Sequence, residues 1–155
     1  IRSASNFSGY WSQPELTRET LVDGWLALGD VAFRDERGFI YLVDRKGGLI
    51  RTGSQNVFPA EVEAELNSHP AVARSAALGV PDERFGKRVV ALVTIDDGAT
   101  VDAESLVAYC AERLAPHKRP RQIVVVAELP FDEGGKLRRK ELPALFDAHS
   151  QEGTR

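Results

Sequence analysis

The chain has little of the side-chain chemistry that thiol enzymes and metal sites use. Its 155 residues include one cysteine, three histidines and no methionine. Cys110 has no base partner that the sequence identifies, and a thiol needs one to act as a nucleophile. His69, His117 and His149 lie far apart, without the Asp or Glu spacing typical of a metal site. We therefore predict neither thiol catalysis nor a bound metal.

Long apolar runs are also missing. No stretch is long enough to span a bilayer, and we expect no signal peptide. With 43% hydrophobic and 28% charged residues, the composition fits one or two small globular domains. We expect a cytoplasmic protein in which Cys110 is buried within a helix. The chain begins at Ile1 without a methionine, so we also expect a fragment of a longer protein.

An excess of positive charge is absent as well. The formal net charge of -3 argues against a general nucleic-acid binder. Basic residues do concentrate toward the C-terminal end: Lys118, Arg119, Arg121, Lys136, Arg138, Arg139 and Lys140. No aromatic residues alternate with them, as a platform for stacking bases would require. We interpret this region as solvated charge.

Turn and helix signals divide the first half of the chain into short elements. We predict a two-turn helix at Pro14 to Thr20 and a hairpin around the turn Asp35 to Gly38. A second hairpin is expected around Thr52 to Asn56, followed by a helix that Pro59 opens and that ends near His69.

The second half alternates strands with helices. Strands are predicted at 71–80, 89–95 and 122–127, with a turn at 81–86, and helices at 102–115 and 139–149. Asp102 is a good N-cap, with Ser105 three residues on. These elements indicate an α+β domain from about Lys46 onward.

Three short stretches have both a structural and a functional interpretation. Gly47 and Gly48 form either an ordinary turn or a hinge, because glycine tolerates dihedrals that other residues avoid. Asp30 either closes a turn or holds sugar hydroxyls, and Arg45 either joins a solvated ion pair or holds phosphate or ribose. Gly134, Gly135 and Lys136 lack the spacing of a P-loop.

An ordered series of motifs runs along nearly the whole chain. It reads GYWSQPELT, DGWLALGD, GFIYLVDRKGGLI, NVFPAEVEAEL, HPAV, GVPDERFGKRVVA, LAPHKRPR and LPFDEGGKLRRKEL. In order and spacing this series resembles the C-terminal portion of the AMP-forming acyl-CoA synthetases, also called adenylate-forming ligases. These enzymes activate a carboxylic acid as an acyl-adenylate with ATP and transfer it to coenzyme A.

The resemblance implies a two-part organisation. Residues 1–45 would form the β-rich end of a large N-terminal domain that binds ATP and the acid. Residues 46–150 would form a small mobile domain, with a β-hairpin and a three-stranded sheet flanked by helices, and 151–155 a disordered tail. The family's upstream phosphate loop and adenine-binding segment are missing, so the fragment should not be a complete enzyme.

Site residues follow from the resemblance position by position. Asp30 and Arg45 would bind the nucleotide, and Lys136 would be the adenylation lysine. Gly47 aligns with the hinge, where the family usually has Asp or Lys. Gly53 and Ser54 would line the pantetheine tunnel, and Arg119 would face the nucleotide end of coenzyme A, beside His117 in place of a frequent aromatic.

The implied cofactors are ATP, with Mg²⁺ expected beside it, and coenzyme A. Partners would be the carboxylic acid and the N-terminal domain. A protein lysine acetyltransferase would be another, because the spacing from Pro130 to Lys136 resembles an acetylation site in this family. Two alternatives remain open: an adenylation domain that loads a carrier protein, although such domains usually show GRxDxQVK, and a non-catalytic binding module of the same fold.

Overall fold

The computed structural model describes residues 1–45 and 48–150, except for the side chains of residues 43–45. The chain forms two compact units, Ile1–Gly47 and Gly48–Arg155. The predicted hinge residue Gly47 and the predicted tail at 151–155 lie outside the described residues.

The first unit consists of one short helix and two antiparallel strand pairs. Its elements are α1 (Pro14–Thr20), β1 (Leu21–Val22), β2 (Trp25–Leu26), β3 (Asp30–Arg34) and β4 (Ile40–Arg45). β1 pairs with β2, and β3 pairs with β4 with a register shift between Val31 and Ala32. The predicted helix and the predicted hairpin are both confirmed.

Asp35 organises the turn between β3 and β4. Its carboxylate accepts hydrogen bonds from the Phe39 N–H at 2.9 Å and from the Tyr41 hydroxyl at 3.1 Å. Gly38 has φ +90, a conformation that glycine adopts without strain. The ring of Tyr41 stacks on that of Phe33 across the ladder. The turn residues and the cross-strand pair thus fix the hairpin locally.

Large apolar side chains of the first unit face outward. Trp11 is 92% exposed, Leu42 75% and Ile40 70%. Among the side chains that the structure describes in this unit, none of the hydrophobic ones is buried. The described part of this unit therefore has apolar surface but no buried core.

The second unit contains a three-stranded sheet, a hairpin and three helices. Its elements are β5 (Ile50–Thr52), β6 (Gln55–Val57), α2 (Pro59–Asn67), β7 (Val72–Asp82), β8 (Gly86–Ile95), α3 (Ala103–Arg113), β9 (Ile123–Val125) and α4 (Leu142–Ser150). The sheet order is β7-β8-β9, with β7 antiparallel and β9 parallel to β8. This architecture confirms the predicted α+β fold.

Alternation along β8 creates a core on each face of the sheet. Val89, Ala91 and Val93 belong to the cluster that includes buried residues of α2 and α3. Val90 and Leu92 belong to the second cluster, with Leu142 and Phe146 of α4. A central strand covered on both faces reads as a continuous apolar run, as the sequence from 89 to 93 does.

Two helices begin where their first residues predict. Pro59 occupies the first turn of α2, where its missing N–H costs no hydrogen bond. Asp102 caps α3 by accepting a hydrogen bond from the Ser105 N–H at 2.7 Å, and this bond lowers the pKa of the Asp102 carboxyl. Cys110 is fully buried in α3, as predicted.

Three predicted boundaries were wrong. The turn between β7 and β8 covers only 83–85, because the ladder continues through Pro81 and Lys87. Pro81 is tolerated there because β7 is an edge strand. β9 covers only Ile123–Val125 of the predicted 122–127. The last helix begins at Leu142 and not at 139; residues 139–141 form a turn instead, in which the Glu141 N–H donates to the Arg138 carbonyl at 2.9 Å.

Candidate functional site

Lys136 closes the turn of a tight hairpin between β9 and α4. Phe131 and Leu137 form an antiparallel bridge at its base. The Asp132 carboxylate accepts a hydrogen bond from the Lys136 N–H at 2.8 Å, and the Asp132 N–H donates to the Lys136 carbonyl at 2.9 Å. Gly135, with φ +77, permits the reversal. We call residues 130–138 the lysine hairpin.

The side chain of Lys136 is exposed. In the described part of the chain, no carboxylate lies within ion-pairing distance of its ammonium. The nearby Asp132 carboxylate instead accepts its hydrogen bond from the backbone N–H of Lys136. The turn of the hairpin thus presents one positive charge without an ion-pair partner among the described residues, which is suited to neutralising a developing negative charge.

The residues predicted to contact coenzyme A meet at one cleft in the second unit. Gly53, Ser54 and Arg119 all line it, and the cavity volume is about 320 Å³. Its other lining residues include Phe85, Arg88, His117 and Arg121. We call this cavity the arginine cleft. Lys136 does not line it, so within this unit the structure separates the predicted adenylation residue from the predicted coenzyme A residues.

Gly53 has a local reason to be glycine. It lies between β5 and β6 with φ +59, in the left-handed region that L residues with a side chain rarely adopt. Its N–H donates to the Phe85 carbonyl at 2.8 Å, which ties this hairpin to the turn between β7 and β8. An added Cβ would lie 3.6 Å from the Phe85 ring.

The side chain of Arg119 is fixed by a hydrogen bond to a backbone carbonyl. Its Nε–H donates to the Leu114 carbonyl at 2.8 Å, and the next residue, Pro120, is fully buried. Lys118 pairs with Glu61 of α2 at 2.7 Å, which adds a second anchor. The loop between α3 and β9 is therefore fixed against the domain while it contributes Arg119 to the arginine cleft.

Sequence reasoning missed Arg88 as a lining residue of the arginine cleft. Arg88 lies near the start of β8, directly before the buried run that begins at Val89, and no pattern in the sequence marks it as a cleft residue. With Arg119 and Arg121, it gives the cleft three guanidinium groups. Guanidinium is the side-chain group best matched to phosphate oxygens.

Asp30 and Arg45, the predicted nucleotide residues, are register partners across β3 and β4 of the first unit. Residues directly opposite on antiparallel strands have Cα atoms about 5 Å apart. Gly29, with φ +76, lets the chain turn directly before Asp30. The structure therefore brings these two positions together, although they are fifteen residues apart in sequence.

The remaining features concern the thiol, possible metal ligands, membrane spans and a second cavity in the described chain. Burial raises the pKa of the Cys110 thiol to about 11, and the charge of Glu65 adds to the effect. No group of three or more potential metal ligands occurs among the described residues. In the same residues, no helix is long and apolar enough to cross a membrane. A second cavity of about 560 Å³, beside β9, contains none of the predicted site residues.

Comparison with known proteins identifies the domain. Residues 61–136 match the family described as AMP-binding enzyme C-terminal domain. The chain is 44% identical over 151 residues to the 2-succinylbenzoate–CoA ligase of Geobacillus kaustophilus, covering 97% of this chain and 31% of that protein. The chain thus spans about a third of the length of the curated relatives that it matches.

Solved structures give the same result. ATP-bound MatB from Rhodopseudomonas palustris superposes with a TM-score of 0.83 at 36% identity, over 90% of this chain and 28% of that one. The o-succinylbenzoate CoA synthetase MenE from Bacillus subtilis, in complex with its acyl-adenylate intermediate, has a TM-score of 0.82 at 38% identity, over 87% and 28%. The chain therefore belongs to the adenylate-forming ligase superfamily of AMP-forming acyl-CoA synthetases, and it corresponds to the C-terminal portion of its members.

Proposed function

We propose that the chain works as the C-terminal portion of an AMP-forming acyl-CoA ligase that activates a carboxylic acid with ATP and transfers it to coenzyme A. The main support is the separation within one unit of an exposed lysine, Lys136, from the arginine cleft, which collects Gly53, Ser54 and Arg119. Two half-reactions need two different sets of groups. Relatives named as CoA ligases support coenzyme A as the acceptor.

In the first half-reaction, a carboxylate oxygen of the acid attacks the α-phosphorus of ATP and the bond to pyrophosphate breaks. Negative charge shifts onto the phosphoryl oxygens as this occurs. The Lys136 ammonium bridges the carboxylate and the α-phosphate, and Mg²⁺ accompanies the ATP phosphates. Asp30 holds the ribose hydroxyls, and Arg45 contacts the same nucleotide. Placed positive charge of this kind stabilises a transition state more than it stabilises the ground state.

In the second half-reaction, the coenzyme A thiol attacks the acyl carbonyl and AMP leaves. The pantetheine arm passes Gly53 and Ser54, whose exposed turn leaves room for it. Arg119 binds a phosphate at the nucleotide end. Arg88 and Arg121, on the same cleft, add positive charge for the remaining phosphates.

The two sets of groups act in turn as a mobile domain, 46–150, rotates about Gly47 against a large N-terminal domain that includes 1–45. The division of the chain into units at Gly47 and Gly48 supports this boundary. The outward-facing Trp11, Ile40 and Leu42 support a first unit that packs against more protein. Without the remaining N-terminal domain the chain is inactive, and the whole enzyme acts in the cytoplasm.

A protein lysine acetyltransferase would regulate the enzyme at Lys136. The exposed position of this residue in a hairpin turn supports access by a second enzyme. Acetylation removes the positive charge and with it the contact to carboxylate and phosphate. Incubation with acetyl-CoA and a lysine acetyltransferase, followed by peptide mass spectrometry and an adenylation assay, tests this. An unmodified Lys136, or a modified one with full adenylation, contradicts it.

The function is tested on the full-length protein with a panel of carboxylic acids that includes 2-succinylbenzoate and fatty acids. We expect acid-dependent exchange of pyrophosphate into ATP, and an acyl-CoA product detected by mass spectrometry. Transfer to a phosphopantetheinyl carrier protein in place of coenzyme A would identify a carrier-loading adenylation domain. Nucleotide binding without acid-dependent exchange would identify a binding module.

A further inference from the structure

Three glutamates of α2 each pair with a basic residue on a different part of the second unit. Glu61 pairs with Lys118 of the loop before β9, Glu63 with Arg139 beside the lysine hairpin, and Glu65 with Arg113 of α3. Glu61 and Glu65 are four residues apart and lie on one face of the helix, whereas Glu63 is two residues from each and lies on another. α2 is therefore a common anchor for separate segments.

The pair between Glu63 and Arg139 has the geometry of a strong contact. Arg139 Nη1–H donates to Glu63 Oε1 and Nη2–H donates to Oε2, both at 2.9 Å. Two parallel bonds of this kind fix direction as well as distance. The Glu63 side chain is only 14% exposed, so solvent screens the pair less than it screens a surface ion pair.

Glu63 is itself fixed by the sheet. Its Oε1 also accepts a hydrogen bond from the Ala77 N–H of β7 at 2.9 Å. The Arg139 Nη1–H reaches the Ala77 carbonyl at 3.4 Å. The Glu63 carboxylate thus connects α2, β7 and the segment after the lysine hairpin.

Arg139 follows Lys136 by three residues and lies directly after the hairpin base. At that base the Arg138 N–H donates to the Pro130 carbonyl at 2.7 Å, while the hairpin tip is exposed. The direction of the tip relative to the sheet therefore depends on what holds the base. The forked pair with Glu63 joins this base to the centre of the domain.

We propose that Glu63 and Arg139 are positioning residues that set the placement of Lys136 for acyl-adenylate formation. This inference rests on the proposed function, because it assigns the pair a role in its first half-reaction only. Glu63 does not touch substrate and acts through Arg139 and the lysine hairpin. Misplacement of a reacting group by about 1 Å costs up to about 100-fold in rate.

The test uses the full-length ligase with Glu63→Gln, Arg139→Lys and the double variant. Glu63→Gln keeps an oxygen for the Ala77 N–H, and Arg139→Lys keeps the positive charge, but each removes the fork. Glu65→Gln is the matched control, because it changes a neighbouring ion pair of α2 that does not touch the lysine hairpin. Pyrophosphate exchange, thioester formation from supplied acyl-adenylate, and the thermal midpoint are measured for each.

We expect kcat for adenylation to fall about 10- to 100-fold in each single variant, and no further in the double variant. KM for ATP and acid, and the thioester rate, should stay within about twofold of wild type, as should every rate of Glu65→Gln. Arg139→Lys should retain more activity than an Arg139→Gln variant. A purely structural pair would lower the thermal midpoint and slow both half-reactions together.

The outcomes separate the inference from the proposed function. If pyrophosphate exchange is abolished in Lys136→Ala but stays at the wild-type rate in Glu63→Gln, the positioning role is overturned and the proposed function is not. Equal losses in both half-reactions, or the same loss in Glu65→Gln, also overturn it. A full-length wild-type protein without acid-dependent exchange overturns the proposed function, and the positioning role with it.

Discussion

The Asp132 carboxylate accepts a hydrogen bond from the backbone N–H of Lys136 at 2.8 Å, while the ammonium of Lys136 is exposed and has no ion-pair partner among the described residues. The lysine hairpin is therefore held by main-chain atoms that any residue at this position would keep. Removing the side chain removes one charge and leaves the turn intact.

The first prediction follows for Lys136→Ala in the full-length enzyme. We expect acyl-adenylate formation to fall by about two to three orders of magnitude, because a placed positive charge is lost from the transition state. Thioester formation from supplied acyl-adenylate should be nearly unchanged, since that step does not use this group. Separate assays of the two half-reactions check this, and equal losses in both would refute the assigned role.

The second prediction concerns Gly53→Ala. Both Gly53→Ala and its matched control Gly98→Ala place a side chain at positive φ, and each should lower the free energy of unfolding by about 1–2 kcal/mol. Gly53 lines the arginine cleft, whereas Gly98 has no atom within 4 Å of an added Cβ. Gly53→Ala alone should raise KM for coenzyme A, by about tenfold. Parallel increases in both variants would contradict the assignment of the cleft.

The third prediction is destabilisation by Gly79→Ala. An added Cβ would lie 2.7 Å from Ile50 Cγ2 and 3.2 Å from Lys87 Cδ, because β5 packs closely on β7 at this point. Overpacking costs about 1–3 kcal/mol, and the reduced entropy of the unfolded chain offsets only about 0.4–1 kcal/mol. Urea unfolding should therefore show a lower midpoint. An unchanged or higher midpoint would mean that Ile50 moves aside without cost.

The fourth prediction concerns Cys110, whose pKa is raised to about 11 mainly by burial. We expect iodoacetamide to label the native protein very slowly at pH 8 and the urea-unfolded protein readily, as read by mass spectrometry. The neutral thiol is favoured on folding. Its contribution to stability is thus fully present below the ordinary value of 9.0 and is lost as pH rises through about 11. Fast native labelling would show that the thiol opens to solvent.

The fifth prediction concerns the proposed hinge. Proline restricts φ to about -65°, so Gly47→Pro should favour one domain arrangement and slow passage to the other. Overall turnover should then fall more than at least one half-reaction measured alone. A Gly48→Pro variant tests whether the effect is specific to the position. Wild-type values for both half-reactions and for turnover would place the hinge elsewhere.

Local signals predicted most elements of the fold. Pro14 and Pro59 begin helices, Asp102 caps one, and the turns near Gly38 and Gly53 form hairpins. Each of these depends on the conformational preference of one or two residues. These local preferences predict the structure because they agree with the tertiary fold at these positions.

Long-range contacts explain what the sequence could not predict. The Arg138 N–H donates to the Pro130 carbonyl before the last helix, and Arg139 pairs with Glu63, which is 76 residues away. Neither contact leaves a periodic pattern. Arg88 joins the arginine cleft only because Gly53 and Arg119 approach the end of β8. The motif resemblance identified Gly53, Ser54 and Arg119, but their shared cleft required coordinates.

The strand order of the sheet has a consequence for how the second unit folds. β7 and β8 are joined by only 83–85, so we expect their pairing to form early, starting from the turn. β9 pairs in parallel with β8, and this pairing requires closure of the much longer segment that contains α3. Closing a longer loop costs more entropy and slows formation of the pairing. We therefore expect the β7–β8 hairpin to be protected from hydrogen exchange early in refolding and β9 last. The lysine hairpin follows β9, so the segment that carries the proposed chemistry would be among the last to reach its native place.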